Sequence, residues 1–172
     1  MNRIAVRMAA LFVSLFVTSW AAAETTVTVE NLHLCCGSCC KGVAKAVGTV
    51  DGAAAKCVQK EGKVTITAPD EATAQKAVDA LLAAGYYGKA TGATMKADSV
   101  AAGNVKSATV SGIHNCCKKC AKAINAVIKS VPGATAEVEP KAETFTVTGD
   151  FDAAKLAEAF NTAGFNVKIE TK

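Results

Sequence analysis

The chain repeats itself. Slid along itself by the 81 positions that separate His33 from His114, it also places Cys35 on Cys116, Cys36 on Cys117 and Cys39 on Cys120. Val43 then meets Ile124, Val47 meets Ile128, Val50 meets Val131 and Gly52 meets Gly133. After a two-residue adjustment near residue 70, "AAGYYG" (83–88) falls on "TAGFNV" (162–167). A duplication of this length constrains the fold more than any local pattern, because both copies must satisfy one set of elements. It divides 172 residues into two small units, each near the lower limit for an independent core.

Each copy gives the same order of elements. "TTVTVENL" (25–32) and "KSATVSGI" (106–113) alternate in β-branched residues and predict strands. Val43, Ala46, Val47 and Val50, like Ile124, Val127, Ile128 and Val131, fall at helical spacing. Gly52 and Pro132-Gly133 end those helices. Strand pairs are expected at 53–59 with 63–68 and at 134–139 with 143–148. Second helices follow, with Asp70 or Asp150 placed to cap the first turn, and last strands are expected at 86–91 and 165–170. The order β-α-β-β-α-β defines an α+β chain of two tandem ferredoxin-like domains, each an antiparallel sheet with two helices on one face. We expect domains at 24–91 and 106–172, joined by a small, polar, flexible linker at 92–105.

Residues 1–23 stand outside the repeat. Arg3 and Arg7 precede an apolar run from Met8 to Trp20, and Ala21-Ala22-Ala23 offers a small-residue cleavage site. That pattern predicts a secretory signal peptide, and the apolar run is short for a membrane anchor. The expected location is therefore exported, periplasmic or secreted, with no membrane insertion after cleavage. Cleavage leaves 17 lysines against 15 acids and no arginine. So small a surplus, without arginine's fork, argues against nucleic acid as a partner.

Seven of the eight cysteines lie in "HLCCGSCCKGVAKAV" and "HNCCKKCAKAINAV", where the first strand gives way to the first helix. A helix start offers unpaired N–H groups and partial positive charge, which favour thiolate over thiol. A Cys-x-x-Cys across that junction lets two sulfurs converge on one point, suited to a soft ion such as Cu(I) or to Zn(II). The element order and this placement resemble the heavy-metal-associated domain family of copper chaperones and metal-transporting ATPase modules. Aligned on its Gly-Met-x-Cys-x-x-Cys motif, Cys36, Cys39, Cys117 and Cys120 take the metal-binding places. Cys35 and Cys116 are additional thiols just before them, and Asn31-Leu32 and Gly112-Ile113 stand where the motif has Gly-Met.

The resemblance implies a protein that captures or transfers Cu(I) or Zn(II), whose partner, besides the ion, would be another metal-handling protein. Two other readings share the same residues: cysteines locked in structural disulfides, and pairs that cycle between dithiol and disulfide. His33 and His114 suit either ligation or backbone capping. Cys57 falls on Val138 and reads as a small core residue. Cys40 falls on Ala121 and suits either a richer thiolate cluster or a bond to Cys35. Lys41, Lys45, Lys118, Lys119 and Lys122 read as solvated helix faces. No Ser/His/Asp set, phosphate loop or carboxylate pair points to an enzyme.

Overall fold

The computed structural model describes residues 24–171; the expected signal peptide at 1–23 lies outside the described residues. In the first half, β1 (Thr25–Glu30), α1 (Gly37–Val47), β2 (Ala54–Val58), β3 (Lys63–Ala68), α2 (Glu71–Ala83) and β4 (Lys89–Thr91) follow in order. In the second come β5 (Asn104–Ser111), α3 (Lys118–Ser130), β6 (Ala134–Thr135), β7 (Thr144–Asp152), α4 (Ala153–Thr162) and β8 (Lys168–Thr171). The sheets run β2-β3-β1-β4 and β6-β7-β5-β8, and every pairing is antiparallel. The architecture is α+β, as the pattern predicted. Among the described residues no helix is long and apolar enough to cross a membrane.

Alternation in β1 puts Val27 and Val29 inward, opposite Ile66 and Val64 of β3. Val43 and Val47 of α1, with Val78 and Leu81 of α2, close that layer from one side. The second core repeats the plan with Ala108, Val110 and Val147 under Ile124, Ile128, Leu156 and Phe160.

Three local expectations change. The strand expected at 134–139 pairs only through Ala134 and Thr135. Beyond it, Asn125 of α3 takes over the backbone of Val138, accepting its N–H at 2.9 Å and donating to its carbonyl at 3.0 Å. The cap of α4 is Asp152, which accepts from the amides of Ala154 and Lys155. Asp150 instead meets Lys106 at 2.7 Å and Asn104 at 2.8 Å. The segment expected to be a free linker is partly tied down. Thr94 exchanges hydrogen bonds with Gln75 of α2, and the Gly88 amide faces the Met95 sulfur at 3.1 Å.

The two halves meet through their equivalent Ala-Gly turns. Gly85 and Gly164 have φ of +84° and +85°, and a Cβ on either would collide with the other half's backbone. At Gly85 the obstacles are His114 N and Gly112 O; at Gly164 they are His33 N and Asn31 O. Only glycine satisfies both the left-handed backbone and the close approach. Tyr87 N–H donates to Gly164 O, Asn166 N–H to Gly85 O, and Tyr86 and Phe165 form an antiparallel bridge. The strand-to-helix corner of each half is thereby pressed against that of the other, with their cysteines facing.

Candidate metal centre

Cys36 and Cys117 are the N-caps of α1 and α3, so Cys39 and Cys120 lie in the first turn, on the buried face. Because the corners face each other, the six sulfurs, which the duplication leaves free to act as two separate sites or to clasp one ion between the copies, form one group. Across the halves, Cys35 Sγ lies 3.4 Å from Cys120 and 3.8 Å from Cys117. Cys36 Sγ lies 3.6 Å from Cys116 and 3.8 Å from Cys117, and Cys39 lies 3.8 Å from Cys116. Within the halves, Cys39 is 3.8 Å from both Cys35 and Cys36, and Cys116 is 3.7 Å from Cys120. These spacings match the edge of about 3.8 Å expected for a tetrahedron with metal–sulfur bonds of about 2.3 Å. All six are free thiols: Cys39 and Cys120 are wholly buried and the other four half-buried.

Both histidines join the group. The ligand atoms of Cys39, His114, Cys116 and Cys120 all lie within 4.8 Å of one another, as do those of His33, Cys35 and Cys120. Each imidazole stacks on an aromatic ring of the opposite half. His114 lies on Tyr86 with centroids 4.4 Å apart, and His33 lies on Phe165 at 4.3 Å. The Tyr86 hydroxyl donates to the Cys39 carbonyl at 2.8 Å and meets His114 Nε2 at 3.1 Å. Since a phenol has one hydrogen, Nε2 is the donor in that second bond, and the lone pair of neutral His114 stays on Nδ1. His33 has no such partner: its Nε2 is buried without a hydrogen bond. Burial holds the His33 pKa below its usual value, which favours neutral imidazole, the form that binds metal.

The thiols divide by environment. Burial above all pushes Cys35 up to about 12, against the pull of the Cys120 thiol. Burial likewise raises Cys116. Cys39 is raised first by its contact with Cys120 and then by burial, with His114 pulling the other way. For Cys36 burial raises the pKa, yet the backbone N–H of Cys39, the Cys116 thiol and the N–H of Ser38 outweigh it, and the result is lowered. Cys117 is lowered first by the backbone N–H of Cys120 and then, against burial, by that of Lys119. The N-cap sulfurs make no regular capping hydrogen bond, so the amide dipoles act at longer range. Cys35, Cys39 and Cys116 thus hold their protons more tightly than an ordinary thiol, whereas the N-cap sulfurs of Cys36 and Cys117 release theirs more readily.

The seventh window cysteine is elsewhere. Cys40, one residue beyond Cys39, points off the other side of α1 and is disulfide-bonded to Cys57 of β2. It neither enriches the cluster nor meets Cys35, and half-buried Cys57 is a covalent tie where the sequence suggested packing alone. A signal for this was present: Cys40 and Cys57 are the only cysteines that fall on non-cysteines in the other copy. Sequence reasoning also missed the hydroxyl of Tyr86 as an orienting group for a histidine of the other half. The lysines beside the windows are exposed, as expected.

Residues 106–166 match the family model described as "Heavy-metal-associated domain". No curated protein and no solved structure matches the chain. The matched span contains His114, Cys116, Cys117 and Cys120, and with the grouped sulfurs it points to metal binding.

Proposed function

We propose that the chain is an exported protein of two tandem heavy-metal-associated modules, 24–91 and 106–172, that captures or passes on a soft metal ion. Cu(I) is the first expected cargo and Zn(II) the second. The reading is carried by one observation: six free cysteine sulfurs from both halves converge at 3.4 to 3.8 Å. Thiols this dense favour soft cations, and the adjoining imidazoles leave room for zinc. Support for export comes from the basic-apolar-small start of the chain and from the Cys40–Cys57 bond, since disulfides persist in oxidising compartments.

The outer thiols suit the first contact with an arriving ion. Cys36 and Cys117 lie 3.8 Å apart, half-buried, and their thiols are shifted toward easier ionisation by the backbone N–H groups at the helix starts, which favours the nucleophilic, metal-binding form. Cys39 and Cys120 lie beneath them and would hold the ion away from water. The work is binding and exchange between thiolates, without catalysis. A partner that gives or takes the ion would approach the Cys36–Cys117 side.

Anaerobic titration of residues 24–172 with Cu(I) and with Zn(II), against a chromophoric competitor, tests this. A Kd well below about 1 µM is expected, equivalent to more than about 8 kcal/mol. No binding to the reduced protein, or six thiols found already joined and resistant to mild reductant, would turn the site into a structural one.

A further inference from the structure

The site holds more ligands than one ion can use. A tetrahedral ion takes four donors, whereas this corner brings together six thiols and two imidazoles. Four of the sulfurs form a closed ring of contacts: Cys35 to Cys39 at 3.8 Å, Cys39 to Cys116 at 3.8 Å, Cys116 to Cys120 at 3.7 Å, and Cys120 to Cys35 at 3.4 Å. Cys39 and Cys120 face each other across this ring within 4.8 Å, and both are wholly buried. The ring therefore reads as two sulfur triangles sharing one edge. One triangle is Cys39, Cys116 and Cys120, with His114 beside it; the other is Cys35, Cys39 and Cys120, with His33 grouped against Cys35 and Cys120.

Resting on the soft-metal reading above, we infer that the corner is a dinuclear site. It takes two soft monovalent or divalent ions, bridged by the sulfurs of Cys39 and Cys120. One ion is completed by Cys116 and His114, the other by Cys35 and His33. A thiolate sulfur has more than one lone pair and can bond two soft cations, and the shared edge leaves each ion with three sulfurs and one nitrogen. Binding of two ions displaces the four thiol protons of Cys35, Cys39, Cys116 and Cys120 to solvent, which leaves the cluster neutral with two divalent ions and with two negative charges with two monovalent ones. Cys36 and Cys117, both half-buried, remain outside the ring. Neither half alone can build either position, because each draws on sulfur from both.

The test uses residues 24–172, purified anaerobically with the Cys40–Cys57 bond intact and loaded with Cu(I) under a competing chelator. Two ions per chain, with a metal–metal shell in X-ray absorption, are expected. Cys35→Ser should remove one ion and Cys39→Ser both, with circular dichroism checking that each variant is folded. One ion per chain would overturn the inference while leaving the proposed function standing. Two ions without a metal–metal shell, or three or more, would overturn the bridged pair. No ion at all would remove the soft-metal reading itself. Because stoichiometry and scattering are read on the unaltered chain, a variant that fails to fold leaves the decision intact.

Discussion

The two halves solve the same problems with different residues. Each must tie its first helix to the segment that follows it at the sheet's outer edge. The first half does so covalently, through Cys40 of α1 and Cys57 of β2. The second has Ala121 and Val138 at those positions and uses the Asn125 side chain, hydrogen-bonded to both backbone groups of Val138. Each half must also seat the other's histidine. Tyr86 reaches across with a hydroxyl, while Phe165 offers only a ring. The helix beneath follows suit. Gly42 stands under Tyr86, where a Cβ would run into the hydroxyl oxygen and come within 3.1 Å of His114 Cε1. The equivalent residue in the second half is Ala123, whose methyl fits because Phe165 lacks that oxygen. Similar corners are thus compatible with local exchanges, provided the exchanged residues move in pairs.

The largest effect that separates the halves should come from the disulfide. Replacing Cys40→Ala with Cys57→Val gives the first half the residues of the second. It removes a cross-link spanning 17 positions, worth about 3 kcal/mol by loop entropy. Urea denaturation should show the midpoint falling, and reductant should bring the wild type down toward the same value while leaving the variant unmoved. Metal capacity should be unchanged, since neither residue belongs to the sulfur group. If reductant shifts wild type and variant equally, the bond is not the tie that distinguishes the halves.

A smaller effect should appear beneath the stacked rings. Gly42→Ala pushes a methyl into the Tyr86 hydroxyl, an overpacking that costs about 1 to 3 kcal/mol. Tyr86→Phe on its own loses a buried hydrogen bond to the Cys39 carbonyl, about 1 kcal/mol. Together they recreate the alanine and phenylalanine of the second half, and the double variant should be more stable than the sum of the singles implies. Additive losses in the double-mutant cycle would mean that the pairing of small residue with ring is coincidental.

How much of this was legible follows from what repeats. The element order, the α+β class and the placement of cysteines at a helix start came from periodicity and an offset that any sheet-and-helix copy must preserve. The extent of β6 did not, because "ATAEVE" has strand-like alternation, yet Asn125 satisfies Val138 in place of a ladder. Whether the two sites stay apart or share an ion was left open by the sequence for a different reason. It depends on Gly85 and Gly164 allowing backbone to approach backbone, and a glycine after alanine at a helix end reads equally well as a simple stop. The disulfide was legible by subtraction, had the two unmatched cysteines been taken as a pair.

The smallest difference between the halves concerns the imidazoles. His114 has its Nε2 hydrogen committed to Tyr86, which fixes its tautomer with the free lone pair on Nδ1, and the ring lies against Cys39, Cys116 and Cys120. His33 has a buried, unpartnered Nε2 over Phe165, so no neighbour fixes which nitrogen carries the hydrogen. A ligand whose other nitrogen is held by a hydrogen bond binds metal better, by 10- to 100-fold in affinity where such partners have been removed. His114→Ala should therefore weaken the tighter Cu(I) binding step by about tenfold, equivalent to about 1.4 kcal/mol, and His33→Ala should weaken it less. Phe165→Tyr with Ala123→Gly would give His33 the same hydroxyl and should bring the two histidine effects together. Equal losses in the single variants would show that the Tyr86 hydroxyl positions the ring without favouring its ligation, and would return the difference between the halves to packing alone.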